Sequence, residues 1–121
     1  MDITIDSRND VMILRLQGRF LAGKDGPLCR QRVKELIETG NRKLLLDFSG
    51  VPYIDSTGLG FLAGCRAVAQ QAGTRLVLAS LCERVRRVLD EVKLTEYFEI
   101  AEDEAGGFSR LDAISAPDRS C

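Results

Sequence analysis

An α/β fold, a mixed sheet of about five strands with an opening hairpin and a parallel centre packed with about four helices, is what this sequence predicts. Three observations predict it. Two stretches of alternating apolar and polar residues, "ITIDS" and "VMILRLQG", flank a short polar "RND", which reads as a β-hairpin. After residue 25, strand-length apolar runs alternate with longer stretches whose apolar residues recur every three or four positions, so strands alternate with helices. The run "KLLLDF" (43–48) is nearly continuous in apolar residues, as in a central strand of a parallel sheet, buried on both faces.

Taken in order, the hairpin strands fall near 3–7 and 10–18. "RFLAGKDGP" is a glycine-rich loop ending in the helix-start residues Asp25, Gly26 and Pro27. From Leu28 to Thr39, Cys29, Val33, Leu36 and Ile37 lie on one helical face, and Gly40 stops the helix. Strand 43–48 follows. Helix 58–71 carries one stripe of Phe61, Cys65, Val68 and Ala72, and a neighbouring one of Leu62 and Ala69, and Gly73 closes it. "RLVLAS" (75–80) is the next strand. In "LCERVRRVLDEVK", Leu81, Val85, Val88, Leu89 and Val92 mark the cleanest amphipathic helix in the chain. "YFEIA" (97–101) is a short edge strand, and 103–112 a last helix whose acidic "EDEAGG" suits a helix beginning. Residues 1–112 read as one domain and 113–121 as a tail with no reason to order. With so few elements, the helices are expected on one face of the sheet.

Composition narrows the function. A chain of 121 residues, 45% hydrophobic and 29% charged, is an ordinary globular domain, and its net charge of −1 draws it to neither nucleic acid nor membrane. No apolar run approaches the roughly 20 residues of a membrane span, and the acidic "MDITIDSRND" is no signal peptide. A cytoplasmic protein is expected. Cys29, Cys65, Cys82 and Cys121 form no CxxC pair and read as reduced, mostly core-filling thiols. The chain has no histidine, which removes the usual general base and the commonest zinc ligand. No metal, cofactor or catalytic residue is expected.

The stretch "GVPYIDSTGLG" (50–60) joins the central strand to the following helix. Asp55 and Ser56 are both good N-cap residues, because their oxygens accept bonds from unpaired first-turn N–H groups. Yet the loop leaves the C-terminal end of a central strand, where open α/β sheets receive ligands and partners. A hydroxyl at a helix N-terminus can carry a phosphate at modest cost to the fold. Beside Asp55, that phosphate would meet roughly 2–7 kcal/mol of repulsion at about 5 Å, for effective dielectrics of about 80 to 20. A comparable term against a partner surface makes a switch, each 1.4 kcal/mol or so being tenfold in affinity.

"LLLDFSGVPYIDSTGLGFLAG" resembles the signature of the STAS domain of bacterial anti-sigma-factor antagonists, with its D-S-[ST]-G-L-G loop. The similarity runs from the hairpin through "GTRLVLASLCERVRRVLDEVKLTEYFEI". The resemblance implies that Ser56 is phosphorylated by an anti-sigma factor that is itself a serine kinase, and that a phosphatase resets it. It implies that the unphosphorylated form binds that kinase and frees a sigma factor to regulate transcription. Thr57 takes the next position, Asp55 presents the hydroxyl and later repels its phosphate, and Gly58, Leu59 and Gly60 complete the partner surface. One departure stands out. Many such antagonists carry a short acidic turn after the second strand, whereas "GRFLAGKDGP" is basic at Arg19 and Lys24 and apolar at Phe20 and Leu21. If exposed, Phe20, Leu21 and Lys24 extend the partner site with a different chemistry.

Two readings compete with the switch. STAS domains also serve as scaffold subunits of transporters and signalling complexes, where the same loop is an unphosphorylated interaction surface. An enzyme is the third, but "DSTGLG" has no Gly two residues before Ser56, so it is no G-x-S-x-G elbow, and the chain has no G-x-x-x-x-G-K-[ST] loop. Arg84, Arg86 and Arg87 share a helix with Glu83 and Asp90 and read as a solvated charged face.

Overall fold

The computed structural model describes residues 2–18 and 25–115, with side chains through Asp112. Along the chain lie β1 (Asp2–Arg8), β2 (Val11–Gln17), α1 (Asp25–Glu38), β3 (Lys43–Gly50), α2 (Ser56–Gln71), β4 (Arg75–Ala79), α3 (Glu83–Glu91), β5 (Glu99–Ala101) and α4 (Glu104–Ser115). The expected alternation is observed. The strands form one sheet in chain order, β1 antiparallel to β2 and every later pair parallel. Asn9, at φ 56, turns the hairpin between Arg8 and its cross-strand neighbour Val11, the left-handed conformation that two-residue hairpin loops use.

Several boundaries move. α1 begins at Asp25, so "DGP" forms the first turn, where a proline lacking its N–H is tolerated. β5 is shorter than expected because the Tyr97 amide bonds to the Leu94 carbonyl at 3.0 Å and holds the chain in a turn. α4 runs on to Ser115, past the expected end at 112. Residues 116–121 lie outside the described residues, as do Phe20, Leu21 and Lys24. Gly40 (φ 96) and Gly73 (φ 73) end their helices as expected. Beyond Gly73, the Thr74 amide reaches back to the Ala69 carbonyl at 2.8 Å, a Schellman closure.

The sheet is covered on both faces, which corrects the one-face expectation. Leu14, Leu16, Leu44, Leu46, Phe48 and Leu78 meet Cys29 and Val33 of α1, Leu62, Cys65 and Ala69 of α2, and Val85 and Leu89 of α3. Val11, Ile13, Leu45, Val77 and Ala79 meet Phe108 and Leu111 of α4. The reason is in β3: Lys43 through Phe48 are all buried, so a single helical layer would leave half their apolar area in water. Gly107 lets α4 approach, since a Cβ there would lie 2.5 Å from Leu45 Cδ1. Lys43, which with Asp47 is one of two charged residues in that run, places its Nζ 2.9 Å from Asp10 Oδ2 in the hairpin turn.

α2 corrects a second expectation. Its buried stripe is Leu59, Leu62, Cys65 and Ala69, while Phe61 and Val68 are half-buried and Ala72 is exposed. Phe61 instead lies against α1, where Gly26 makes room: a Cβ there would meet the ring at 2.5 Å. No helix among the described residues is long and apolar enough to cross a membrane.

Candidate functional site at the β3–α2 junction

The junction is anchored from beneath. Val51, Ile54 and Leu59 are buried in the core layer under α1, α2 and α3, and between them Pro52, Ser56 and Thr57 face solvent, with Tyr53 and Asp55 half-exposed. The Val51 amide bonds to the Phe48 carbonyl at 2.9 Å. From the other side the Cys82 thiol, just before α3, donates to the Val51 and Pro52 carbonyls at 3.7 Å each. Arg84 of α3 stacks on the Tyr53 ring, 4.8 Å from its centroid, so the start of α3, distant in sequence, holds the loop at two points.

The competition between Asp55 and Ser56 for the cap has one winner. Asp55 is the N-cap, with extended backbone (φ −91, ψ 170), and its Oδ1 accepts from the Gly58 amide at 2.6 Å. Ser56 is therefore the first helical residue. Its hydroxyl is exposed and has no hydrogen-bond partner among the described residues. It stands at the positive end of the α2 dipole, where an added anion is favoured.

Thr57 is exposed on the next position. With Gly60, Phe61 and Gly64 of α2 and Arg30 of α1 it lines a shallow groove of about 270 Å³. A Cβ added at Gly60 would meet nothing within 4 Å among the described residues, so that glycine leaves open surface and no packing among them requires it. Leu59, expected on the partner surface, instead faces inward at 2% exposure, and Gly58 is buried too. Their burial follows from the cap, which turns the first helical turn so that Gly58 and Leu59 look at the sheet. The structure thus brings Asp55, Ser56, Thr57 and Gly60 together on one surface, with Leu59 and Gly58 beneath.

Sequence reasoning did not single out Tyr53 and read Arg84 as part of a solvated face. An aromatic two residues before the capping Asp was the available signal for Tyr53, while Arg84 is identified only by how α3 lies across the loop. Arg86 and Arg87 are exposed as expected, Arg87 at 4.0 Å from Glu83. Among the described residues no cluster of three His, Cys, Asp or Glu is placed to hold a metal ion.

The STAS domain family model matches residues 2–106. The chain belongs to the STAS domain family. This STAS domain is 30% identical over 114 residues to the anti-sigma-B factor antagonist of Bacillus subtilis (strain 168), covering 88% of this chain and 98% of that protein. Its fold matches Bacillus SpoIIAA solved in the phosphorylated form, with TM-score 0.68 at 18% identity over 90% of this chain and 98% of that one. It also matches a sulfate transporter family protein from Wolinella succinogenes, with TM-score 0.71 at 20% identity over 87% of each chain. Family and relatives place it among binding proteins, not enzymes.

Proposed function

We propose that this STAS domain is an anti-sigma factor antagonist whose binding is switched by phosphorylation of Ser56. The observation that carries the reading is that Asp55 takes the cap and leaves the Ser56 hydroxyl exposed on a rigid helix start. The unphosphorylated form binds an anti-sigma factor with serine kinase activity across Asp55, Ser56, Thr57 and Gly60, and a sigma factor is released. Gly58 and Leu59 hold this surface from below. Phosphate on Ser56 adds roughly −2 of charge beside Asp55 and breaks the complex. A protein phosphatase restores the free hydroxyl. Phe20, Leu21 and Lys24, which lie outside the described residues, are proposed to contribute to partner binding, and the protein acts in the cytoplasm.

The test is site-mapped mass spectrometry of the protein from its native cells, alongside capture of partners by the wild type, Ser56→Ala and Ser56→Glu. Expected are a phosphate on Ser56 that varies with growth condition, a kinase-like partner retained by Ser56→Ala, and its loss from Ser56→Glu. A Ser56 unmodified under every condition, in a protein that co-purifies with a stable transporter or signalling assembly, would establish the scaffold reading instead.

A further inference from the structure

β1 is the least covered element of the sheet. It pairs with β2 along one edge, and its other edge has no strand neighbour among the described residues. Six of its seven residues are exposed, Ile3 being the half-buried exception. Ile5 stands 37% exposed at the centre of the strand, pointing to the same face as Ile3 and Ser7, while Asp2, Thr4, Asp6 and Arg8 point to the α4 face. An uncovered edge of this length invites pairing with another chain unless its charges forbid it.

We infer that a second copy of this chain docks on that edge, β1 against β1, about a two-fold axis through Ile5. An axis perpendicular to the sheet keeps each residue on its own face, so only residue-centred antiparallel registers are open to it. Centred on Ile5, the register sets Asp2 opposite Arg8 of the second copy, Thr4 opposite Asp6, Ile3 opposite Ser7 and Ile5 opposite itself. The opposite-charge pair occurs twice, and the exposed Ile5 finds an apolar partner in its twin. Moving the axis by one residue removes this match. Centred on Thr4, Asp2 faces Asp6 twice; centred on Asp6, two Asp6 carboxylates face each other. The charges of β1 thus reject both neighbouring registers; an axis through Ser7 would also set Asp6 opposite Arg8, but it leaves Asp2 to Ile5 unpaired, so the Ile5-centred register is the one that engages the whole strand.

Asp6 enters the pairing already partnered by Arg15 at 3.4 Å, and Arg8 lies over the Phe108 ring at 4.3 Å, so both side chains are held towards the α4 face. The interface lies on the outer edge of β1, two strands away from β3 and its junction, so both Ser56 hydroxyls stay open. The inference stands whether or not Ser56 is a phosphoacceptor. A single pair of strands buries little area, and the dimer forms at ~10–1,000 µM.

Sedimentation equilibrium of the full chain across that range tests it, with Asp2→Arg, Arg8→Asp and the double exchange. Expected is a concentration-dependent dimer that each single variant weakens by roughly tenfold or more and the double variant restores. A chain monomeric throughout, or a dimer indifferent to these charges, overturns the inference. Register is read separately in a Cys82→Ser, Cys121→Ser background treated with oxidised glutathione. There two thiols of Ile5→Cys form one disulfide as glutathione is reduced, linking two copies. Ser7→Cys, facing Ile3, stays unlinked, and equal crosslinking of both variants overturns the register.

Discussion

The Asp55 carboxylate accepts the Gly58 amide at 2.6 Å, and this bond decides what Ser56 is free to do. With the cap already made, the serine oxygen is not needed to start the helix. Asp55→Ala is expected to cost about 1 kcal/mol, as loss of a helix cap does, whereas Ser56→Ala stays within about 0.5 kcal/mol of the parent. Urea denaturation of the two variants checks this. Equal losses would mean that the serine shares the cap.

Gly60 and Gly26 are expected to respond in opposite directions. Alanine at Gly60, where a Cβ meets nothing within 4 Å among the described residues, removes a glycine from an exposed helix position and stabilises by roughly 0.5–1 kcal/mol. Alanine at Gly26 drives a methyl into the Phe61 ring and destabilises by about 1–3 kcal/mol. Thermal unfolding separates them. If Gly60 faces the partner as proposed, its alanine variant is the more stable and the poorer binder.

Thiol reactivity divides by layer. Cys82 is exposed, and Cys29 and Cys65 are buried. The Cys29 thiol is pushed well above its ordinary range by its hydrogen bond with Cys65 and by burial. In a Cys121→Ser background, a disulfide reagent is expected to modify Cys82 rapidly in the native protein, and Cys29 and Cys65 only on unfolding. Rapid native reaction at either buried thiol would show that α1 and α2 part readily.

Two carboxylates set an acid limb of stability. Arg15 of β2 grips Glu104 of α4 through Nε and Nη2 at 2.8 and 2.9 Å and holds its carboxyl below the usual 4.5. Arg75, then Arg110, do the same for Glu99. Because the folded values lie below the unfolded ones, the unfolded chain takes up more protons as pH falls. Stability is full above about pH 5 and declines below it as these groups protonate. Glu99→Gln and Glu104→Gln are expected to lower stability at neutral pH and flatten this decline, as urea midpoints measured from pH ~7 to ~3 would show. An unchanged slope in both variants would assign the acid limb to other groups.

The hairpin, the alternation of helices and strands, and the glycine stops at Gly40 and Gly73 were all legible along the chain. Each depends on residues within a few positions of one another, the range over which periodicity and capping act. The "DSTGLG" loop was legible for the same reason, as a strand end, a cap and a helix start in direct succession. Which oxygen makes the cap was not, because Asp and Ser are equally able and the choice turns on the backbone angle at Asp55. The partner surface was over-read at Leu59, since a motif names residues without saying which way they face.

By itself, then, the sequence determined the order of elements, the buried central strand and the position of the loop, all consequences of local pattern. Only the tertiary structure decided that α4 covers the second face, that Arg84 reaches Tyr53, and that among the described residues the Ser56 hydroxyl has no partner and the outer edge of β1 no strand neighbour. These outcomes depend on contacts between residues far apart in the chain. They are set by how the faces of a twisted sheet must be closed against water, which no short stretch encodes.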